Sequence, residues 1–382
     1  MKILHLGRFL DENNGGLEQT VIDLLDALSE EVSVENLVAH RRFRLRSEVD
    51  IFHGWKVYRT ASLGMYFSTA FSFPFPFRLR RLYRKEHYDI VHLHFPDPLS
   101  CLSALLLPRT ANIVISWHSD VIRQRGFLKF YQPFVNRLLS RTRAVVGATP
   151  AHFTDSTQLQ VLPDSKKYVI PFAVDVQRFD SSDRISRKSR ELKSKHAGRF
   201  LVFALGRHVY YKGFEYLIQA VRSLPNAVIL LGGSGPITGE LKQAARELGV
   251  SDRVVFTGRL SEEEMLAHYH ACDVFCLPSV EKAEAFGVVQ IEAMLCKKPV
   301  VCFDLKNGVT YVNQHMQTGL VVPLRDVEAL AEALRELQEK PALRLKLGRQ
   351  GRKRAIREFS KESTRRRMLA LYRSIVNETS GA

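Results

Sequence analysis

Short apolar runs bounded by turn residues alternate with helical patterns along most of this chain. Runs at 3–6, 32–38, 90–94, 113–117, 144–147 and 168–171 form one series. Runs at 201–205, 227–231, 254–257, 274–277, 300–302 and 319–322 form a second. Amphipathic patterns at 17–29, 214–223, 237–248, 262–271 and 327–338 lie between them. Strand–helix alternation implies parallel sheets covered by helices on both faces. Two such series predict an α/β protein with two Rossmann-like domains and a cleft between them, and 382 residues are enough for two. The expected boundaries are 1–172 and 173–362, with a last helix from about 363. The polar stretch 180–196 shows no periodicity and reads as a surface loop.

The longest apolar candidate, 99–107, is interrupted by Ser and stopped by Pro108, too short for a membrane span. The opening Met1-Lys-Ile-Leu-His-Leu-Gly reads as a first strand, without the length or cleavage site of a signal peptide. His268, His270, Cys272 and Cys276 lie close together, but Ala271 to Leu277 reads as a buried strand, where cysteine serves as a small apolar residue. Five cysteines without a paired zinc-type spacing suggest free thiols and a cytoplasmic setting. The net charge of +16 concentrates at 41–46, 78–85, 123–143 and 344–373. A basic excess implies an anionic partner: nucleic acid, anionic lipid or a phosphorylated acceptor. Aromatic–basic RNA motifs and zinc modules are lacking, so nucleic acid is not expected. The run Phe71-Ser-Phe-Pro-Phe-Pro-Phe77, followed by Arg78-Leu-Arg-Arg81, suits an anionic membrane surface. It equally suits a packed loop beside a solvated basic helix.

Several loops at strand ends carry chemistry. Gly15-Gly16 opens the first helix, where glycine admits close backbone approach and a helix N-terminus favours an anion; a plain turn also explains it. In Gly206-Arg-His-Val-Tyr-Tyr-Lys-Gly213, Arg207 and Lys212 can both reach one ligand. Arginine holds phosphate oxygens in a fork, and lysine adds a compact charge. Gly233 and Gly235 lie in the turn Gly232-Gly-Ser-Gly-Pro236. Ser261 is a helix N-cap with Glu264 at the capping-box position. The neighbouring Glu262 can accept paired N–H donors from a guanine edge, whereas uracil offers one. Glu284-Ala-Phe-Gly-Val-Val-Gln-Ile-Glu292 puts one carboxylate on a loop after a strand and another about two helical turns on. No Asp-x-Asp occurs, so the metal clamp of GT-A enzymes is missing and no metal is expected.

Together these segments resemble the retaining glycosyltransferases of family 4, which have the GT-B fold; Ile170 to Phe179 resembles their interdomain "IPNGVDxxRF" segment, with Phe172 and Ala173 as departures. The resemblance covers nearly the whole chain and is sharpest from Gly206 to Leu295. It implies an acceptor-binding first domain, a donor-binding second domain and a C-terminal helix returning to the first. It implies Gly15, Gly16, Arg207 and Lys212 at the donor diphosphate, Gly233 and Gly235 shaping the nucleotide cleft, and Leu260 touching the base. Glu292 would bind ribose hydroxyls. Glu284 would bind the donor sugar, with backbone groups of Phe286, Gly287 and Val288 beside it. His118 and Glu284 are the implied catalytic residues. His118, in Trp117-His-Ser-Asp120, would sit beside the transferred sugar, or else is a buried structural histidine; Asp120 would help orient it or the acceptor.

The expected activity is metal-independent transfer of a hexose, with no cofactor beyond the nucleotide sugar: mannose from GDP-mannose first, a UDP-sugar second. The acceptor would be a saccharide or lipid-linked saccharide for a surface polysaccharide or lipopolysaccharide, on a cytoplasmic or peripheral membrane enzyme. A GT-B sugar-nucleotide epimerase, a sugar-nucleotide sensor and a polyanion-binding protein are the alternatives.

Overall fold

The computed structural model describes residues 1–7, 10, 16–66, 69–121 and 125–380, without the side chains of 16, 17, 125–129 and 380. The chain forms two compact units, Met1–Val174 with Lys361–Ala382, and Asp175–Ser360.

The first unit is built on an eight-stranded sheet. Its spatial order is Lys167–Val169, Ala144–Gly147, Ile113–Trp117, Ile90–Phe95, Lys2–Leu6, Ser33–Ala39, Trp55–Thr60 and Glu48–Phe52. All pairs are parallel except the last, a hairpin turned at His53-Gly54 that the sequence reading left unassigned. The inner strands are buried on both faces: every residue of Ile90–Phe95 is buried. That explains their near-continuous apolar runs. The C-terminal helix, Lys361–Ser380, buries Met368, Leu369, Leu371, Tyr372 and Ile375 in one cluster with Val21, Leu25 and Leu28 of the helix Gly16–Ser29. At about 2 kcal/mol per buried side chain, that face fixes the helix to the first unit. Thr364 Oγ1 also donates to Pro171 O at 3.1 Å, and Lys361 N to Val174 O at 3.1 Å.

The second unit is a wholly parallel six-stranded sheet. Its order is Val254–Gly258, Ala227–Gly232, Phe200–Leu205, Val274–Leu277, Val300–Phe303 and Gly319–Val322. Numbered along the chain, this is the 3-2-1-4-5-6 order of a doubly wound fold. The order reverses between Phe200–Leu205 and Val274–Leu277, so a crevice opens at the carboxyl ends of those two strands, where such sheets bind ligands.

The stretch 180–196 is not a loop. Asp183–Lys195 is an α-helix, capped by Ser182 Oγ accepting from Ile185 N at 3.3 Å. Its buried stripe is thin, Ile185 and Ser189. Arg184 and Lys188, one turn apart, both hold Glu263 of the helix Glu262–Ala271, at 2.8 and 2.9 Å. These pairs are solvent-screened and add little; a buried stripe of only Ile185 and Ser189 is too thin to show as an apolar period. Among the described residues, no helix is long and apolar enough to cross a membrane.

Candidate functional site

In the second unit, the loop from Gly206 lies against the turn after Ala227–Gly232, backbone on backbone. Gly206 N donates to Gly232 O at 3.2 Å, and His208 N to Ser234 O at 3.1 Å. Gly233 has φ +107°, and a Cβ there would fall 1.9 Å from Gly206 O. A Cβ on Gly235 would fall 2.3 Å from His208 O. Only glycine fits, so these two residues shape the crevice through backbone. The contact also turns His208 inward, where its Nδ1 meets Thr238 Oγ1 at 2.9 Å and burial lowers its pKa. Arg207 is left exposed, with no hydrogen bond or ion pair to any described residue.

Lys212 closes the same loop and pairs with Glu284, which follows the other strand at the switch point. The two side chains are 12% and 11% exposed, so this pair is only thinly screened by solvent. Ser279 Oγ also donates to Glu284 Oε2 at 3.0 Å, and Asn307 Nδ2 donates to the Glu284 carbonyl at 2.8 Å. The chain then turns at Gly287, φ +71°, into the helix Val288–Leu295. The orphan N–H groups of this helix begin at Val288. The Phe286 side chain is buried, edge-on to Phe359 at 5.9 Å, so only its backbone is left for a ligand.

Glu292, half-buried on that helix, accepts from Tyr269 OH at 2.7 Å. Burial pushes its carboxyl up, while the Tyr269 hydrogen bond and the Arg178 charge oppose the shift. Leu260 is half-buried, and Ser261 and Glu264 complete a capping box. Glu262 is held by Arg178. Arg178, Tyr269, Ser279 and Asn307 join these groups only through the fold. Arg178 stands in the quoted Ile170–Phe179 segment, so it carried a family signal; the other three are defined only by tertiary contact. Among the described residues, no cluster of His, Cys, Asp and Glu could hold a metal ion.

The remaining expected residues belong to the first unit. Gly16 opens the helix Gly16–Ser29, and Gly15 lies outside the described residues. His118 follows the strand Ile113–Trp117; its Nε2 lies 3.2 Å from His94 Nδ1, and its ring stacks on Phe172 at 5.7 Å. Burial and the neighbouring His94 and His152 lower its pKa. Asp120 is not free for an acceptor. Its Oδ1 accepts from Trp117 Nε1 at 3.0 Å and Ser156 Oγ at 2.6 Å, and its Oδ2 from Thr157 N at 3.0 Å. A carboxylate so occupied pins the 156–157 turn under the loop that carries His118.

Carboxylates, a paired lysine and an exposed arginine thus gather at the switch point of a doubly wound sheet, where such sheets bind ligands. Residues 14–178 match the model described as Glycosyltransferase Family 4, and residues 186–354 match Glycosyl transferases group 1. The D-rhamnosyltransferase WbpZ of Pseudomonas aeruginosa is 31% identical over 91% of this chain and 90% of its own length. The O-antigen chain mannosyltransferase C of Escherichia coli is 28% identical over 100% of both chains. A GDP-mannose-dependent alpha-(1-6)-phosphatidylinositol monomannoside mannosyltransferase of Mycobacterium tuberculosis is 31% identical over 68% of this chain and 69% of its own. The structure of Anabaena Alr3699/HepE with UDP has a TM-score of 0.77 at 20% identity, covering 98% of this chain and 100% of that one. The chain belongs to glycosyltransferase family 4, with the GT-B fold, and is a hexosyltransferase.

Proposed function

We propose that this chain moves mannose from GDP-mannose, with retention, onto a saccharide or lipid-linked saccharide during assembly of an O-antigen or lipopolysaccharide. The observation that carries the reading is the convergence of Arg207, Lys212 and Glu284 on the loops at the switch point, with Glu292 on the helix that follows. In this reading Arg207 and Lys212 hold the diphosphate and neutralise the charge that develops as it departs. Glu284 takes sugar hydroxyls, and Glu292, beside Tyr269, takes the ribose. Leu260 and the backbone of Gly233, Gly235, Phe286, Gly287 and Val288 shape the rest of the donor site. Lys212 and Glu284 already neutralise each other, so a bound donor replaces one pair by two new contacts, phosphate on lysine and hydroxyl on carboxylate. Retention proceeds by same-face departure and attack, with a donor phosphate oxygen as base and no dedicated protein nucleophile.

Guanine is favoured because Glu262 and Arg178 form an exchangeable pair: a guanine edge supplies two N–H donors to the carboxylate that the guanidinium now holds. Two relatives are mannosyltransferases, one of them GDP-mannose-dependent. The UDP bound in the Anabaena structure keeps a UDP-hexose as the second reading. The first unit takes the acceptor, with His118 beside the transferred sugar. An anionic membrane surface is its partner in this reading. Phe71, Phe73 and Phe77 are 49%, 73% and 76% exposed. Phe73 and Phe77 share a helix face with Arg80, Arg81 and Arg84, while Phe75 is in the core. The enzyme then works at the cytoplasmic face of the cell membrane.

The test is turnover with chelator present, using GDP-mannose, GDP-fucose, UDP-glucose and UDP-N-acetylglucosamine against lipid-linked and free oligosaccharide acceptors. The anomeric configuration of the product is read by NMR. Transfer from GDP-mannose to give an α-mannoside is expected. Turnover of a UDP-sugar alone selects the second reading, and a β-mannoside rejects retention.

A further inference from the structure

Three histidines of the first unit, His5 and His94 buried and His118 half-buried, are hydrogen-bonded in series. His5 Nδ1 lies 3.1 Å from His94 Nε2, and His94 Nδ1 lies 3.2 Å from His118 Nε2. In both pairs the rings are nearly parallel, 21° and 17° between planes, with centroids 5.4 Å apart, so they meet edge to edge as an in-plane hydrogen bond requires. The sheet builds this row. His5 is on Lys2–Leu6, His94 on the adjacent parallel strand Ile90–Phe95, and His118 just after the next strand over, Ile113–Trp117. His92 stacks beside them but is no link, because its nitrogens face Tyr372 OH and Ser116 Oγ.

A neutral imidazole carries one N–H and one lone pair. Burial lowers His5 to about 3, and lowers His94 and His118 as well, so the neutral rings are the relevant species near neutral pH. Each N···N contact needs one proton, which leaves two arrangements running in opposite directions. In one, all three rings carry their proton on Nδ1; in the other, all three carry it on Nε2. The atoms at the two chain ends, His5 Nε2 and His118 Nδ1, are buried and have no hydrogen-bond partner among the described residues. Each arrangement therefore puts a bare N–H at one end and a bare lone pair at the other. A buried unpaired donor is costly and rare. His118 lines a pocket of about 20 Å³ together with His94, Ser116 and Phe172, room for about one water. His5 is fully buried and does not line that pocket. The N–H is assigned to the His118 end because that residue, unlike His5, borders a space a water can fill.

We propose that the His5–His94–His118 chain locks His118 in its Nδ1–H tautomer. His118 is then a neutral hydrogen-bond donor, and its Nε2 lone pair is already taken by His94. It can donate to a sugar hydroxyl or ring oxygen, and it has no free lone pair to act as a general base. His5 and His94 are positioning residues. The functional consequence rests on the placing of His118 beside the transferred sugar; the tautomer does not.

The experiment is long-range ¹H–¹⁵N NMR of the full chain with ¹⁵N-labelled histidine, the His118 signals identified by their loss in His118→Phe. The expected result at pH 7 is a pyrrole-type Nδ1 and a pyridine-type Nε2 on His118. A proton on Nε2, or a charged ring, overturns the proposal. The tautomer is read on the wild-type protein, a folded His118→Phe serving only to assign the signals, and the reading needs no turnover, so it stands apart from the transfer reading. His5→Phe removes the far donor. Mixed tautomers at His118 and slower transfer at unchanged GDP affinity are expected, with recovery in His5→Gln, whose amide can donate again. A His118 signal unmoved by a folded His5→Phe contradicts the chain.

Discussion

In the second unit, polar side chains near the strand ends are matched in pairs, Lys212 with Glu284, Tyr269 with Glu292 and Arg178 with Glu262. In the first unit they run in a row of neutral rings, His5, His94 and His118, near an Asp120 whose oxygens hold Ser156 and Thr157 of a neighbouring turn. Pairs of opposite charge can be traded for a charged ligand at little net cost. A row of neutral imidazoles has no charge to trade and instead fixes the direction of a hydrogen bond. One sheet architecture thus yields an exchangeable ionic site in one unit and a preset neutral one in the other.

The sharpest way to break this contrast is Glu284→Gln, which keeps the shape and removes the charge. Transfer should fall about 10³-fold, the scale of losing one group that acts on the transition state, while GDP affinity holds or rises as Lys212 is freed for the diphosphate. A loss of GDP affinity instead would move Glu284 from the sugar to the nucleotide. Acid comes next. Burial holds His5, His92, His94 and His118 below their ordinary value of 6.5, His5 at about 3. Between those values the unfolded chain binds more protons than the folded one, so stability falls as pH drops below 6.5. The slope is about 1.4 kcal/mol per pH unit for each such histidine. The second unit has lowered histidines too, at 196, 208, 268 and 270, but the last three face backbone carbonyls that favour the charged ring. Trp55 and Trp117, the chain's two tryptophans, are both in the first unit. Their fluorescence should therefore report its acid unfolding before the far-ultraviolet signal of the whole chain is lost. Coincident transitions would remove the contrast.

Arg207→Ala should weaken GDP binding by about 2 kcal/mol, some 30-fold, the worth of a charge-assisted hydrogen bond. Its melting temperature should stay put, because the side chain is exposed and has no partner among the described residues. A lowered melting temperature with intact GDP binding would make the arginine structural. The smallest effect is expected for Phe73→Ser with Phe77→Ser, a several-fold loss of sedimentation with anionic vesicles and no change for neutral ones.

The fold and much of the second unit's site could be read from the chain because they rest on local signals. Apolar runs marked the strands, and glycines and charges at fixed offsets marked the loops from Gly206 and Glu284. Strand order was silent, since nothing local says that Phe200–Leu205 and Val274–Leu277 are neighbours. Arg178 and Tyr269 escaped for the same reason: each gains its meaning from a carboxylate far along the chain, Glu262 at 84 residues and Glu292 at 23. The helix Asp183–Lys195 was lost because its buried stripe is only Ile185 and Ser189 among charged residues. Among the four phenylalanines from 71 to 77, composition could not separate the core residue Phe75 from its exposed neighbours. The histidine row needed the register of three strands before it became visible.

The most direct measurement is titration calorimetry of GDP and of UDP into the full chain, with chelator present. The account predicts that GDP binds at least about tenfold more tightly than UDP, a difference of roughly 1.4 kcal/mol, and that Glu262→Ala erases the preference. Tighter binding of UDP would contradict the guanine assignment, and binding of neither nucleotide would contradict the donor site itself.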